Sequence, residues 1–527
     1  MSDETPAASR RDLLKGALAA SLAAAATSNA ATSNTAAANE AAGDATSKPS
    51  DATNPIVAEN RQPGSRDWQL TRVRLDKAGG GYRSVDIEGY CSRQSVKAGE
   101  TIEFKVSTSP AVPFQIEIFR MGYYGGLGAR LMKTIGPLQG KPQPVPEVGE
   151  ARLRECVWET SAELKIPSDW TSGVYLGRLS TLTGSEGSGY WQSYVIFVVR
   201  DERKAGLLFQ VSDNTWQAYN RWPDSYSLYT APGGAHVPGV SVSFERPYAK
   251  YPQVVDAPQS VGSGEFLLWE FPLCYWLEKH GYDVTYCANV DMLDPKTPLR
   301  AKAVLSVGHD EYWDLRQFET LKQSVAAGTS ILFLSANTAY MVSPFTPGAS
   351  GQTNRRITRT ASFGPMSEEE TKAYGHMMGP FPSAGPDEAT LIGARTTVPF
   401  NGGGDWVCAK PEHWVFAGTG MKLGDRIPGL VGWEYHGNPA DIPGLEVVGE
   451  GKVLSGGTKP GHWVATIYPG PHGNFVFNAS TIWWSQGLAA PPGHMLPWSH
   501  WSRPHGPDDR VERITHNLLR RALGLPT

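Results

Sequence analysis

A short apolar run over residues 303–307 ends at Gly308, and three titratable residues, His309, Asp310 and Glu311, follow at once. The run has the length and composition of a buried strand, and the glycine marks its exit. In an open α/β sheet, ligands bind beyond the carboxyl ends of the strands. This strand exit is therefore the first place to look for function.

The chain around this exit alternates between apolar strands and helices. Strands are predicted at residues 206–211, 283–287, 303–307 and 329–335, and helices at 264–280 and 314–327. Apolar strands that alternate with helices indicate a mostly parallel, doubly wound sheet covered on both faces. Further strands at 414–416 and 473–478, a turn at 443–444 and a final amphipathic helix at 509–523 are expected to join this α/β domain.

The preceding part of the chain has the two-residue periodicity of half-buried strands. Segments 101–107, 114–120, 175–179 and 193–199 alternate in this way and are separated by glycine-containing turns. Several short strands at this spacing predict an antiparallel β-sandwich. The predicted fold is therefore multidomain, with a β-sandwich at residues 67–202 followed by an α/β catalytic, amidotransferase-like domain at residues 203–527.

The first residues have the pattern of an export signal. Arg10 and Arg11 precede a short run rich in alanine and leucine, which is typical of a twin-arginine signal peptide, here residues 1–35. The alternative, a membrane anchor, needs about 20 apolar residues, roughly twice the length of this run. Residues 36–66 are predicted to be a disordered linker, since the segment has few large apolar side chains. The expected location is the periplasm or the exterior.

Composition excludes several classes of function. The chain has 527 residues, a formal net charge of −4 and no long basic block, which disfavours nucleic acid as a partner. No other segment is long and apolar enough for a stable membrane span. The five cysteines form no Cys-x-x-Cys pair, and an odd number leaves at least one thiol unpaired. We expect them to be small buried hydrophobes rather than a disulfide framework.

Three predicted strand exits carry polar groups that can converge at one edge of a parallel sheet. The exits lead to Tyr219, to His309 and Glu311, and to Asn337. A His-x-Glu pair suits a hard or intermediate cation, although a glutamate at a strand end also occurs as a helix cap or ion-pair partner. No nucleophile elbow follows any strand, and the glycines at 402–404 lack the lysine of a phosphate loop, so that segment is read as a loop tip.

The motifs taken in order resemble those of the large subunit of N,N-dimethylformamidase. They are Asn-Thr-Trp-Gln-Ala-Tyr-Asn at 214–220, Ser-Leu-Tyr at 227–229, Ser-Phe-Glu-Arg-Pro-Tyr at 243–248, Gly-His-Asp-Glu-Tyr-Trp at 308–313 and Ser-Ala-Asn at 335–337. The sandwich region agrees through Tyr-Cys-Ser at 90–92 and Arg-Met-Gly-Tyr-Tyr-Gly-Gly at 120–126. The resemblance spans nearly the whole chain after the predicted leader.

This resemblance implies an amide hydrolase with a mononuclear iron held by two tyrosines and one glutamate. The glutamate falls on Glu311, one tyrosine on Tyr219 and the other on Tyr248, with Tyr229 in reserve. The implied catalytic residues are His309, Asn337 and Glu434, and Glu434 lies within Gly-Trp-Glu-Tyr at 432–435.

The implied chemistry is physically consistent. Three anionic oxygens suit a hard ferric ion, which can polarise an amide carbonyl or activate water. Glu434 can take the proton of that water, while Asn337 and His309 hold the carbonyl or the developing oxyanion.

The sequence also departs from the family pattern. Arg-Trp-Pro-Asp-Ser at 221–225 replaces the family's Trp-Gly-Gly, so we expect a different pocket mouth. The expected partner is a small amide-like molecule, which need not be dimethylformamide itself. Nothing in the chain corresponds to the small subunit of the known enzyme. Assembly into a homo-oligomer is an open alternative. Two alternatives remain: a zinc hydrolase, and a non-catalytic exported protein that binds a carbohydrate or a cell-surface ligand.

Overall fold

The computed structural model describes residues 54–75, 81–182, 189–232, 241–250, 257–365, 368, 371–372, 383–397, 402–432, 434–454, 460–497 and 504–526. The predicted signal peptide at 1–35 and residues 36–53 of the predicted linker lie outside the described residues. The described chain is rich in β-structure, with several sheets and few helices.

The helices and strands have the following bounds. The α-helices are α1 Pro55–Asn60, α2 Asp213–Tyr219, α3 Phe271–Lys279, α4 Leu315–Ala326, α5 Ala389–Ile392 and α6 Asp509–Leu523. The strands are β1 Ile87–Cys91, β2 Ser95–Lys97, β3 Thr101–Thr108, β4 Phe114–Met121, β5 Ala129–Leu138, β6 Ala162–Lys165, β7 Gly173–Thr181, β8 Gln192–Arg200, β9 Ala205–Gln210, β10 Ser241–Ser243, β11 Val284–Cys287, β12 Ala301–His309, β13 Tyr312–Trp313, β14 Ser330–Ala336, β15 Met341–Val342, β16 Phe345–Thr346, β17 Arg356–Thr358, β18 Ala361–Phe363, β19 Ser383–Gly385, β20 Ala394–Thr396, β21 Gly404–Val407, β22 Arg426–Val431, β23 His436–Pro439, β24 Glu446–Val453, β25 Gly461–Pro469 and β26 Phe475–Asn478.

Two sheets occupy the N-terminal part. One has five strands in the order β2-β8-β7-β4-β5, and the other has three in the order β1-β3-β6. Their pairings are antiparallel except for that of β2 with β8. The four strands predicted from two-residue periodicity are observed as β3, β4, β7 and β8. Inward-facing apolar side chains from both sheets, such as Phe104 and Phe197, pack in one cluster.

A seven-stranded sheet carries the strand exits of interest. Its order is β11-β9-β12-β14-β26-β25-β24, with parallel pairing from β11 through β26 and antiparallel pairing of β26 with β25 and of β25 with β24. The parallel strands are buried along almost their whole length, which explains their continuous apolar sequences. Strand β9 lies between β11 and β12, so the strand order reverses beside it. This reversal is where a ligand site is expected.

Two element predictions were wrong in detail. The single helix expected over 264–280 is a π-helical turn, Phe266–Glu270, followed by α3, because Pro272 lies in the first turn of α3 and lacks an N–H. Residues Trp414–Phe416 form a 3₁₀ turn rather than a strand, and the His413 side chain caps it. Helix α6 has the predicted bounds, with Asp508 as its N-cap and Gly524 at its C-terminal end.

The predicted disordered linker is wrong for its last residues. Asn54 caps α1 by accepting a hydrogen bond from the backbone N–H of Ile56 at 3.0 Å. Glu59 is buried and accepts from the Tyr124 hydroxyl at 2.8 Å and from Arg130 at 2.9 Å. These polar contacts order a segment whose composition alone suggested a flexible chain.

A buried ion pair connects the N-terminal sheets to α3. The Arg120 guanidinium donates to both carboxylate oxygens of Glu278, at 2.8 and 3.0 Å, and both side chains are fully buried. Asn60 donates to the same carboxylate at 2.8 Å.

The domain boundary predicted between residues 202 and 203 stays a prediction. No helix among the described residues is long and apolar enough to cross a membrane.

Candidate functional site

Three strand exits of the seven-stranded sheet contribute to the candidate site. Strand β9 leads through Ser212 into α2, β12 ends at His309, and β14 ends at Ala336. Because these strands are parallel, the exits share one edge, as the sequence predicted. The segment after β14 runs beside the β12 exit: the N–H of Ala339 donates to the Asp310 carbonyl at 3.0 Å, and that of Met341 to the Glu311 carbonyl at 3.0 Å.

Gly308 fixes the path of the β12 exit. Its φ of +73° lies in the left-handed region, and a Cβ at this position would lie 2.7 Å from the Cβ of Trp269. Glycine is therefore required here. The backbone N–H of Glu311 then donates to the Thr215 hydroxyl of α2 at 2.9 Å, which places the glutamate against that helix.

The Glu311 carboxylate is the centre of the site. The Tyr219 hydroxyl donates to Oε2 at 2.8 Å, and the Tyr229 hydroxyl donates to Oε1 at 2.8 Å. Tyr312 in turn donates to the hydroxyl of Tyr229. Glu311 is 2% exposed, so two phenol oxygens and one carboxylate meet in a nearly water-free position.

Helix α2 and the chain after it place the two tyrosines. Tyr219 is the last residue of α2, and the N–H of Leu228 donates to the Ala218 carbonyl at 2.9 Å. This bond folds the segment after α2 back against the helix end. Tyr229 consequently lies beside Tyr219, with ring centroids 5.1 Å apart.

His309 and Glu434 form the second half of the site. His309 Nε2 is 2.6 Å from Glu434 Oε2 and 3.3 Å from Glu311 Oε2, and the imidazole is fully buried. Burial by itself lowers the pKa of His309, but the negative charges of Glu434 and Glu311 outweigh it and raise the pKa well above its ordinary value. Glu434 has a φ of +57°, a conformation that is uncommon outside glycine and recurs at functional sites.

The phenols are held in their neutral form by their surroundings. Burial, followed by the charge of Glu311, raises the pKa of Tyr219, Tyr229 and Tyr312 well above the ordinary value. The Arg359 guanidinium carbon lies 4.9 Å from the centre of the Tyr229 ring and opposes this effect. Neutral phenols are the hydrogen-bond donors that the observed geometry requires.

Asn337 is ordered at the exit of β14. Its φ is +50°, and its Oδ1 accepts a hydrogen bond from the Thr396 hydroxyl at 2.9 Å. The next residue, Thr338, donates its backbone N–H to His436 Nε2 at 3.2 Å. The Asn337 amide therefore has a set orientation at the edge that holds Glu311.

Tyr248 does not join Glu311 in the structure. Its ring lies 6.4 Å from that of Trp216, and it lines a small cavity of about 30 Å³ together with Arg246 and Arg355. The cause is Arg246, whose guanidinium donates to the Gln217 side chain and to the carbonyls of residues 217, 220, 222 and 226. These bonds tie Arg246 to the chain between residues 217 and 226. Because Arg246 is held there, the nearby Tyr248 ring packs on Trp216. The reserve candidate, Tyr229, is the tyrosine that meets Glu311 beside Tyr219.

The Asp310 side chain is bound by residues that hold the fold together rather than by the residues around Glu311. It accepts hydrogen bonds from Gln210 at 2.6 Å, Ser306 at 2.9 Å and Asn289 at 3.1 Å. Burial raises its pKa.

Sequence reasoning missed three residues that shape the site: Thr215, Tyr312 and Arg359. Tyr312 directly follows Glu311, and Thr215 lies one turn before Tyr219 on α2, so both were within the quoted motifs. Arg359 follows β17, and no motif in the sequence around it indicates a place in the site. Its approach to Tyr229 is known only from the fold.

The arrangement defines a class of protein: a β-rich chain with a buried phenol–carboxylate centre at the edge of a largely parallel sheet. Imidazole and carboxylate ligand atoms of His309, Glu311 and Glu434 also lie within 4.8 Å of one another, close enough to share a metal ion. The chain belongs to the N,N-dimethylformamidase beta subunit-like family, whose C-terminal model matches residues 115–497.

The other comparisons add little. None of the curated proteins is significantly similar to this chain. Among solved structures, that of the cellulose-active LPMO CelS2 (ScLPMO10C) in complex with copper is 21% identical and covers 20% of this chain. The match takes in 52% of the LPMO chain, about half its length, with a TM-score of 0.15. A similarity of that size supports no argument about fold or function.

Proposed function

We propose that the chain is an iron-dependent hydrolase of a small amide or related C–N bond, with Tyr219, Tyr229 and Glu311 as the ligands of a mononuclear ferric ion. The observation that carries the proposal is the convergence of two phenol oxygens on the two oxygens of one buried carboxylate. Membership of an amidase-type family supports the reaction class.

The donor set fits a ferric ion. All three groups offer hard oxygen ligands, and a cation of high charge favours their anionic forms. The phenol protons that now bind Glu311 are those such a cation would displace. Tyr312 and Arg359 support Tyr229 from outside the donor set, through a hydrogen bond and a ring contact.

The remaining residues have distinct roles. Bound iron supplies Lewis-acid polarisation of a carbonyl and lowers the pKa of water. Glu434, which is in contact with His309, accepts the proton of the attacking water. The protonated His309 offers positive charge where the oxyanion develops, and Asn337, oriented by Thr396, donates its amide to the carbonyl oxygen.

A zinc hydrolase is the second candidate, and a specific observation favours it. His309, Glu311 and Glu434 supply one nitrogen and two carboxylate ligands in a compact group. That set, one histidine and two carboxylates, is closer to zinc preferences than the tyrosines are. In this case Glu434 is a ligand and no longer the base.

We extend the proposal to architecture and location. The two N-terminal sheets share one apolar cluster, which supports a β-sandwich, and the parallel strands with α3 and α4 support a doubly wound domain. The paired arginines near the N-terminus support export by the twin-arginine route to the periplasm or beyond. The name of the family refers to one subunit of an enzyme, which supports a partner chain or a homo-oligomer.

Metal analysis and absorption spectra of four proteins test the iron proposal. We expect the purified wild type to contain stoichiometric iron and to show a visible tyrosinate-to-iron band. Glu311→Ala should lose both, Tyr229→Phe should lose or shift the band, and Tyr248→Phe is the matched control that keeps it. Stoichiometric zinc without a visible band, together with an unaffected Tyr229→Phe variant, would favour the zinc site.

Activity is measured with small primary and N-alkylated amides by release of ammonia or amine. Glu434→Gln should retain iron and lose hydrolysis, since it removes the base and keeps the fold. Metal-loaded wild type that hydrolyses none of these amides would contradict the reaction class. Binding of a carbohydrate that survives Glu311→Ala would favour the non-catalytic alternative.

A further inference from the structure

Two histidines and a glutamate form a cluster that shares no residue with the Glu311 site. His280 directly follows α3, while Glu512 and His516 lie four residues apart on one face of α6. We propose that His280, Glu512 and His516 bind a borderline divalent transition-metal ion such as Zn²⁺. The ion would join the end of α3 to the last helix of the chain.

The distances within this cluster suit a metal better than hydrogen bonds. Glu512 Oε1 lies 3.6 Å from His280 Nε2 and 3.7 Å from His516 Nε2. Both separations exceed the length of a normal hydrogen bond. Ligand bonds of about 2.0–2.2 Å in a tetrahedral site place neighbouring ligand atoms about 3.4 Å apart, close to both values. An ion between the three atoms therefore needs only small side-chain movements.

A neighbouring tyrosine orients one of the imidazoles. The Tyr282 hydroxyl and His516 Nδ1 are 2.7 Å apart, so this nitrogen has a hydrogen bond and Nε2 is the one that faces Glu512. Metal-binding histidines usually have their other ring nitrogen held in this way. The two imidazoles also pack on the buried Trp276 ring, with centroids 4.7 Å away for His280 and 4.6 Å for His516.

Both imidazoles of the cluster lie close to the surface. Each side chain is about one quarter exposed, at 24% for His280 and 22% for His516, so an ion has access from solvent.

The ligand types decide the class of ion. Two imidazole nitrogens with one carboxylate suit zinc and its neighbours, whereas calcium and magnesium require oxygen ligands throughout. Three protein ligands leave a fourth position for water, as in zinc sites with two histidines and one glutamate.

Cobalt and zinc titrations of the full chain test the site. The protein is depleted of divalent ions with a chelator and titrated with Co²⁺, whose visible absorption reports tetrahedral coordination, and Zn²⁺ is then added as a competitor. We expect the wild type to bind a Co²⁺ ion that Zn²⁺ displaces. His280→Ala and His516→Ala should lose this ion, and Tyr282→Phe should weaken binding about 10- to 100-fold.

The matched control is His462→Ala. His462 also faces a glutamate, with Nε2 3.4 Å from Glu450 Oε2, but it has no second histidine in a metal-binding group of the described residues. This variant should bind Co²⁺ like the wild type. Zn²⁺ should raise the thermal midpoint of the wild type and of His462→Ala by more than that of His280→Ala, and any shift that all three share belongs to the separate His309, Glu311 and Glu434 group. Equal Co²⁺ binding by the wild type and His280→Ala, which changes an exposed helix end, would overturn the proposal.

Discussion

His436 provides a quantitative link between pH and the stability of the sheet edge that carries the candidate site. It is fully buried, its Nε2 accepts the backbone N–H of Thr338 at 3.2 Å, and its Nδ1 lies 2.9 Å from Asn478 Oδ1. Accepting at Nε2 requires the neutral ring with its proton on Nδ1, where it donates to Asn478. A second proton would break the bond to Thr338, the neighbour of Asn337.

The size of the effect follows from the pKa. Burial lowers the pKa of His436 to about 4, from an ordinary value near 6.5. Between these values the unfolded chain binds a proton and the folded chain does not, so stability falls as pH falls through this range. A difference of about 2.5 pKa units corresponds to about 3 kcal/mol of unfolding free energy between pH 7 and pH 4.

The measurement is urea unfolding at several pH values for the wild type and for His436→Gln. Glutamine keeps an acceptor for the Thr338 N–H but does not titrate, so the variant should lack about 3 kcal/mol of the pH dependence. Other buried histidines contribute equally to both proteins and cancel in the comparison. We also expect amide hydrolysis to fall in the same pH range in the wild type. Identical slopes for the two proteins would refute the reasoning.

Three further predictions concern the framework. Arg120→Met leaves the Glu278 carboxylate buried without its cation and should reduce the unfolding free energy by about 3–5 kcal/mol in urea, whereas adding Glu278→Leu should recover much of the loss. If the double variant were less stable than the single one, the buried pair would not be the cause. Gly308→Ala should cost about 1–3 kcal/mol and reduce hydrolysis, because the new Cβ meets Trp269; unchanged activity and stability would contradict the close contact. All five cysteines are free and buried, so a reductant should leave the thermal midpoint unchanged, and a lower midpoint would indicate a disulfide.

The sequence was most informative where local pattern and global fold agree. Strands β9, β12 and β14 follow from apolar runs, and the glycine after residues 303–307 marked the strand exit to within one residue, since β12 ends at His309. Tyr219 was placed after the exit of β9, although the helix that ends at this residue, α2, was not predicted. The strands and their exits depend on short-range preferences that a single sequence records.

The second tyrosine could not be chosen in this way. In the described parts of 220–250, at 220–232 and 241–250, the only helix or strand is β10, so spacing carries no information about which side chain returns to Glu311. The choice is made by hydrogen bonds between distant residues: the Leu228 N–H to Ala218 brings Tyr229 back, and Arg246 holds its segment so that Tyr248 meets Trp216. The order of residues 54–60 escaped prediction for the same reason, since it depends on Arg130 and Tyr124.

Helix α2 is a common reference for the whole centre. Tyr219 is the last residue of α2, and the Thr215 hydroxyl accepts a hydrogen bond from the backbone N–H of Glu311. The Ala218 carbonyl accepts one from the N–H of Leu228, the residue before Tyr229. A displacement of this seven-residue helix therefore carries both phenols and the carboxylate in the same direction. The distances between the three groups therefore depend chiefly on contacts made with this one helix. Sequence change in the surrounding loops can thus reshape the pocket mouth while the two phenols and the carboxylate keep their spacing.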